Sequence, residues 1–254
     1  LYRNPPKLQR FKKPFRMSYS FGKNIVTDGL VFYVDAANGL SYAGSGTTWT
    51  DLIGGIDGTL TNGPTFDSGN GGSIVFDGAN DYAEMGTATD FLPTNDMTID
   101  VWINIDAYDS CICMSPDPSG GNEMIFYIPS STNSTWVNKR LSCTFDNSNG
   151  ASGAWPTSST DIPLSTWTHV CLVRDGATAR FYYNGVADGT GTRGTGSLAY
   201  ASGQPLYVGL DTDGAGFTKG NYFDGKMSNF KIYDRALSAS EVLQNYNALK
   251  NRFV

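Results

Sequence analysis

Apolar residues in this chain recur mostly with a period of two. The clearest run is Met97-Thr-Ile-Asp-Val-Trp-Ile-Asn-Ile105, where Ile99, Val101, Ile103 and Ile105 alternate with Asp100, Trp102 and Asn104. Alternation sends successive side chains to opposite faces of a strand, so this run predicts one face in a core and the other concave and accessible. Runs rich in β-branched and aromatic residues at 29–35, 72–77, 82–85, 124–128, 140–145, 168–174, 179–183, 206–210 and 226–233 predict further strands. Asn184-Gly185 joins two of them with residues that tolerate positive φ, as a type I′ hairpin turn requires. Residues 36–70 read as loop-rich, with turns at Gly44-Ser-Gly46, Gly54-Gly55 and Asn62-Gly63-Pro64. A helical period is clear only near the end. Ser238 and Glu241 form a capping box, and Val242, Leu243, Tyr246 and Leu249 share one helical face.

Many short strands joined by tight turns predict an all-β chain: an antiparallel two-sheet sandwich with a short C-terminal helix, for which the resemblance given below implies the jelly-roll type. At 254 residues with no Pro/Gly/Ser linker, one core accommodates it. The 30 glycines and 14 each of Tyr and Phe suit that architecture. Four phrases then narrow the choice because of their order. They are Ser73-Ile-Val-Phe-Asp-Gly-Ala-Asn-Asp-Tyr82, Trp167-Thr-His-Val-Cys-Leu-Val173, Tyr182-Tyr-Asn-Gly185, and Phe223-Asp-Gly-Lys-Met-Ser-Asn-Phe-Lys-Ile-Tyr-Asp-Arg-Ala-Leu-Ser238 with Glu241 beyond. Together they resemble the laminin-G-like branch of the concanavalin A-like lectin and glucanase superfamily, from Gly29 to about Leu249. The phrases between Gly29 and Tyr82 are similar to laminin-G-like proteins encoded by tailed bacteriophages, notably marine ones, where the module is a virion component. That resemblance implies a jelly-roll domain over 29–254 behind an arm over 1–28.

Charge is unevenly divided. Arg3, Lys7, Arg10, Lys12, Lys13 and Arg16 give residues 1–16 a charge of +6 with no acid, so the remainder holds −12 of a total of −6. A basic segment broken by Pro5, Pro6 and Pro14 buries too little apolar surface to fold alone. The favoured expectation is an extended arm ordered by a partner; the alternative is a tail without structure. No apolar stretch is long enough to span a bilayer, and the basic start lacks a following hydrophobic segment of the signal type, so a soluble chain is expected. Cys111, Cys113, Cys143 and Cys171 read as buried free thiols, with Cys111 and Cys113 on one strand face and a Cys143–Cys171 bridge as the alternative.

The chemistry-bearing residues argue against catalysis first. Related glycoside hydrolases pair acids on one strand in an E-x-D-x-x-E pattern, whereas the three glutamates here, Glu84, Glu123 and Glu241, lack that spacing. His169, the only histidine, lies in the Trp167-Thr-His-Val strand motif without a nucleophile elbow, and reads as a buried hydrogen-bonded residue. No zinc-ligand spacing occurs. Calcium is the metal to weigh, since Asp35, Asp51, Asp57, Asp77 and Asp81 lie in Gly-rich turns and the resemblance implies calcium at the sandwich rim. The competing reading makes those aspartates turn caps.

Glycan recognition needs aromatic faces and planar polar groups. Trp136, Trp155, Tyr108, Tyr200, Tyr222 and Phe217 lie in polar, loop-like segments beside Asn138, Asp213, Asn133, Asn147 and Asn149. The same inventory suits a protein interface or core anchors beneath loops. The sequon Asn133-Ser-Thr135 is read as chance. The leading expectation is therefore a non-enzymatic virion surface protein, a capsid decoration or fibre component. Its basic arm docks on a capsid or other virion protein, and its sandwich faces host surface polysaccharide. A secreted carbohydrate-binding or adhesion module is the alternative and a hydrolase relative a distant third; no membrane or nucleic-acid partner is expected, and homo-oligomerisation stays open.

Overall fold

The computed structural model describes residues 24–116, 122–132, 135–145, 155–194, 196–212 and 219–254. The arm cations Arg3, Lys7, Arg10, Lys12, Lys13 and Arg16 lie outside the described residues, as do Asp213, Phe217, Asn133, Asn147 and Asn149.

Two antiparallel sheets face each other. The first contains β1 (Leu30–Asp35), β4 (Thr65–Asp67), β5 (Ser73–Asp77), β7 (Met97–Ile105), β11 (Thr168–Asp175), β12 (Thr178–Tyr183), β13 (Val186–Thr192) and β17 (Asp224–Tyr233). Its order is β13-β12-β11-β7-β17-β5-β4. The ten-residue β17 lies along β7 on one side; on the other it pairs with β5 through its first half and with β1 through its second. The second sheet contains β2 (Thr48–Trp49), β3 (Gly58–Thr61), β6 (Tyr82–Thr87), β8 (Ser110–Pro116), β9 (Asn122–Ile128), β10 (Ser142–Phe145) and β14 (Pro205–Val208), in the order β10-β9-β8-β14-β6-β3-β2. A small ribbon, β15 (Asp211–Thr212) with β16 (Lys219–Gly220), and a single helical turn, α1 (Ala88–Phe91), complete the set with the C-terminal helix α2 (Ala239–Leu249). The loop-rich reading of 36–70 therefore missed three short strands.

Alternation builds the core as expected. Ile99, Val101, Ile103 and Ile105 of β7 point between the sheets with Phe32, Val34, Phe76, Leu172, Phe181 and Phe230, meeting Met85, Ile112, Phe126, Phe145 and Leu206 from the second sheet. The hairpin after β12 has Asn184 at φ 49° and Gly185 at φ 78°, both positive as a type I′ turn demands. All four cysteines are buried and free. A register shift between Cys111 and Cys113 separates the pair: Cys113 joins the inner core and Cys111 the outer face of the second sheet. The bulge overrides strict alternation. Cys143 lies in the inner core and Cys171 on the outer face of the first sheet, so the alternative bridge is not formed.

The outer face of the first sheet is covered at its centre and not accessible there. Helix α2, started by the Ser238–Glu241 capping box, lies across it with Val242 and Asn245 buried, while Leu243 points outward and is 43% exposed. A polar residue takes the expected apolar place because the helix rests on charge. Asp100 accepts from Lys231 Nζ at 2.8 Å and from Asn245 Nδ2 at 3.0 Å, and lies 3.1 Å from His169 Nε2. Asp100, Lys231, His169, Asn229 and Asn245 are fully buried. Burial alone raises a carboxyl pKa, but Lys231 and His169 outweigh it and hold Asp100 well below the usual range. Trp102, also fully buried, stacks on Tyr246 of α2 with ring centroids 5.6 Å apart. The expected buried histidine is present. Packing reaches back to Val26, whose amide donates to Asn245 Oδ1 at 2.8 Å.

Candidate functional site

The outer face of the second sheet is built differently. Residues that alternate away from its aliphatic core positions are Tyr82 on β6, Met114 on β8, Ile125 and Tyr127 on β9, and Tyr207 on β14, and they form one buried cluster. Tyr82 and Tyr207 meet edge to face with centroids 6.2 Å apart. Two loops then add an outer layer. Trp136, from the loop after β9, packs edge-on to Tyr127 at 5.9 Å, and Trp155 packs edge-on to Trp136 at 5.1 Å.

Backbone contacts fix the loops that carry the tryptophans. The Trp155 amide donates to the Thr135 carbonyl at 2.7 Å, joining the two loops beside their indoles. Lys139 N donates to the Pro129 carbonyl, and the Asn138 amide donates to Thr132 Oγ1 at 3.0 Å. Asn138 thus closes a turn that presents Trp136. Trp136, Trp155 and Tyr222 remain half-buried, whereas the tyrosines beneath are almost fully covered. The Tyr127 hydroxyl donates to the Asp109 carboxylate, and burial, with Glu84 and Tyr82 adding to it, pushes the Tyr207 hydroxyl pKa up. On the same face, Thr59, Glu84, Thr87 and Pro205, with Asp57, line a groove of about 270 Å³. The face therefore offers partly covered indoles beside hydroxyls and carboxylates.

Of the expected glycan residues, the structure brings together Trp136, Trp155 and Tyr222, with Asn138 supporting the loop. It separates two others. Tyr108 packs against the inner core and donates its hydroxyl to the Ile162 carbonyl at 3.0 Å. Tyr200 is buried in the inner core and donates to the Pro93 carbonyl at 2.7 Å. Both are core anchors, since each tyrosine carries a ring that fills space and a hydroxyl that satisfies a loop carbonyl. Tyr82, Tyr127 and Tyr207 were missed because they fall within strand signatures; aromatic residues at the outward strand positions were the available signal.

The five aspartates weighed for calcium do not converge. Among the described residues no group of three or more acidic, histidine or cysteine side chains is placed to hold a metal ion. Each carboxylate instead accepts backbone amides: Asp51 from Tyr33, Ile53 and Gly54, Asp77 from Ala79, Asn80 and Asp81, Asp81 from Asp77, and Asp57 from Asp51. Asp35 accepts from Ala37 and pairs with Arg252. Short turns aim N–H groups inward, and a nearby carboxylate satisfies them before any ion could.

Comparison with known proteins agrees with this geometry. A family model described as the concanavalin A-like lectin/glucanases superfamily, of laminin-G type, matches residues 77–243. No match was found among curated protein sequences. Among solved structures, Domain 4 of AbnA, a GH43 extracellular arabinanase from Geobacillus stearothermophilus solved in complex with arabinotriose, is similar at a TM-score of 0.62. It is 18% identical, over 85% of this chain and 98% of that one. Trypanosoma rangeli sialidase in complex with the inhibitor DANA is similar at TM-score 0.62 and 15% identity over 91% of this chain, which spans only 34% of the sialidase. A heptameric SAP-like pentraxin from Limulus polyphemus matches at TM-score 0.51 and 21% identity, over 67% of this chain and 79% of that one. Likeness at these identities speaks for a shared sandwich alone.

Proposed function

The chain belongs to the laminin-G-type family of the concanavalin A-like lectin/glucanase superfamily, and from that premise we propose that it is a non-enzymatic carbohydrate-binding module whose ligand stacks on Trp136 and Trp155. The observation that carries this reading is the two-layer aromatic face, with half-buried tryptophans on buried tyrosines. A sugar ring has an apolar face that an indole covers and hydroxyls that neighbouring polar groups bind. The arabinotriose complex of the similar arabinanase domain supports the ligand class.

The non-enzymatic part rests on the missing E-x-D-x-x-E spacing and on what two of the acids do. Glu241 is held by Arg235 and by the Ser238 cap, and Asp100 is locked between Lys231 and Asn245. Neither is free for the acid or nucleophile role in glycoside hydrolysis. The test is affinity electrophoresis against a polysaccharide panel containing arabinan and host surface polysaccharide. The Trp136→Ala/Trp155→Ala double variant is expected to lose roughly 30-fold in affinity, about 2 kcal/mol, as expected when a central aromatic contact is removed. Unchanged retardation by a folded variant sinks the reading.

The six cations of residues 1–16 favour one placement for the module, docking on the acidic surface of a virion as a capsid decoration or fibre component. Ordering such a segment on contact gives a long footprint at the cost of its entropy. Deletion of residues 1–16 should abolish incorporation into particles while leaving polysaccharide binding intact. Equal occupancy on particles with and without the segment would refute this placement.

A further inference from the structure

The polar cluster beneath α2 contains a nucleophile that nothing above puts to use. Lys231 Nζ donates to Asp100 Oδ1 at 2.8 Å and to Asn229 Oδ1 at 2.7 Å, so one amine touches a carboxylate and a side-chain amide at once. Strand register explains the meeting. Lys231 lies directly opposite Asp100 across the β17–β7 ladder, and Asn229 stands two residues earlier on the same face of β17. The ladder shifts register between Met227 and Asn229, where β17 exchanges β5 for β1 as its other neighbour. Asp100 Oδ2 lies 3.1 Å from His169 Nε2 and accepts from Asn245 Nδ2 at 3.0 Å. All five side chains are fully buried.

One nitrogen in this cluster is left over. Asn229 Nδ2 is buried and has no hydrogen-bond partner among the described residues. An unpaired buried donor is destabilising, so a site that keeps one calls for a physical reason, and departure of that nitrogen would be such a reason. A lysine ammonium cannot attack an amide while a proton occupies its lone pair. The 2.8 Å contact gives that proton a destination: moving it onto Asp100 discharges both groups, and burial makes the discharged pair reachable. In the resting pair Asp100 is ionised, held down by Lys231 and His169, so the free amine is a minor state and any reaction through it is slow. Freshly folded protein therefore holds the ion pair.

We propose that Lys231 and Asn229 become joined by a side-chain amide bond after folding, with Asp100 as the proton acceptor. Asp100 takes a proton from the Lys231 ammonium, and the free Nζ attacks Asn229 Cγ, next to the oxygen that it already contacts. The Nζ–Cγ bond forms, the Cγ–Nδ2 bond breaks, and Asp100 hands its proton to the departing nitrogen. The second proton lost by Nζ returns to Asp100. Ammonium, carboxylate and amide thus become a secondary amide, a carboxylic acid and ammonia, with atoms and charge balanced and no oxidant consumed. His169 Nε2, beside the other Asp100 oxygen, can accept from the new acid. Full burial keeps bulk water from reversing the step. The bridge would pin β17 just past its register shift, whatever the sandwich binds.

Mass spectrometry of the whole chain tests this without relying on a variant. Protein kept folded for days should become lighter than its sequence by one ammonia, whereas protein held in denaturant for the same time should not. Trypsin should then release residues 227–235 as one peptide uncut at Lys231, because an acylated lysine is no substrate, and fragmentation should place the missing ammonia between Asn229 and Lys231. Recovery of that segment cut after Lys231 and at full mass, from aged folded protein, overturns the proposal. Loss of ammonia with Lys231 still cleavable marks an asparagine cyclised on its own backbone and overturns it too. Loss of one water in place of ammonia means that Asp100 supplied the acyl group, which overturns the assignment to Asn229. Asp100→Asn keeps the side-chain shape but accepts no proton, and should slow the mass loss by roughly 100-fold. An unchanged rate in that variant overturns the role given to Asp100. Lys231→Arg keeps a cation at the site and should retain full mass; loss of ammonia from its 227–235 segment overturns the bond itself.

Discussion

Over the first sheet, α2 seals a charged cluster completely; over the second, two loops lay tryptophans on tyrosines and leave the tryptophans half-buried. Both faces alternate away from the same inner core, so the difference arises from what the chain places above them. A helix that covers Asp100 and Lys231 must leave them satisfied: Asn245 donates to Asp100, while Lys231 donates to Asp100 and to Asn229 of its own strand. Such a face is committed to holding the fold together. A loop layer of indoles satisfies little below it and keeps its own π surface available, which suits binding.

The comparison is broken most directly through Lys231. Lys231→Ala leaves Asp100 buried without its cation, and loss of one partner of a buried pair typically costs about 3–5 kcal/mol. Chemical denaturation should show that loss, and hydrogen exchange should show α2 amides opening first while the strands beneath Trp136 stay protected. Equal loosening of both faces would mean that the sealed face is not a separate unit.

On the other face the same measurement should give a smaller number. Trp136 and Trp155 are half-buried, so each replacement by Ala should cost about 1–2 kcal/mol, below the roughly 3–5 kcal/mol of a fully buried aromatic. Binding should suffer more than stability. A loss near 4 kcal/mol would make the tryptophans core residues like Trp102.

How much of this was legible in the sequence depended on whether a signal was local. Ile99 to Ile105 announced the strand and its inner face, and Ser238 with Glu241 announced the helix, because each pattern is complete within one segment. What lay above Asp100 was not legible. Its cover is Asn245, 145 residues away, and an alternating strand looks the same whether its polar side meets water or a helix. Trp136 and Trp155 were legible as loop aromatics, but Tyr108 and Tyr200 looked identical to them. Only the distant carbonyls of Ile162 and Pro93 decide which aromatics anchor loops. The contacts among Asp35, Asn70 and Arg252 escaped entirely, since these residues meet only in three dimensions.

The smallest effect concerns acid, and it should again fall on one face. Arg235 donates to both oxygens of Glu241, at 3.0 and 2.6 Å, and Ser238 adds its amide and hydroxyl. These bonds hold the Glu241 pKa down at about 2, against 4.5 for the free side chain. A carboxyl whose pKa is lower when folded stabilises the native state above its unfolded pKa, and that contribution fades as pH falls through the folded value. The window is therefore pH 4.5 down to 2. Because Glu241 lies near solvent, screening reduces the gain to about 1 kcal/mol. Melting curves across that window should lose this increment, and Glu241→Gln should lose it at pH 7 while flattening the Glu241 component of the acid limb. If the variant keeps the full acid slope, other carboxylates carry the acid sensitivity, and the helix cap is not the sealed face's first point of failure.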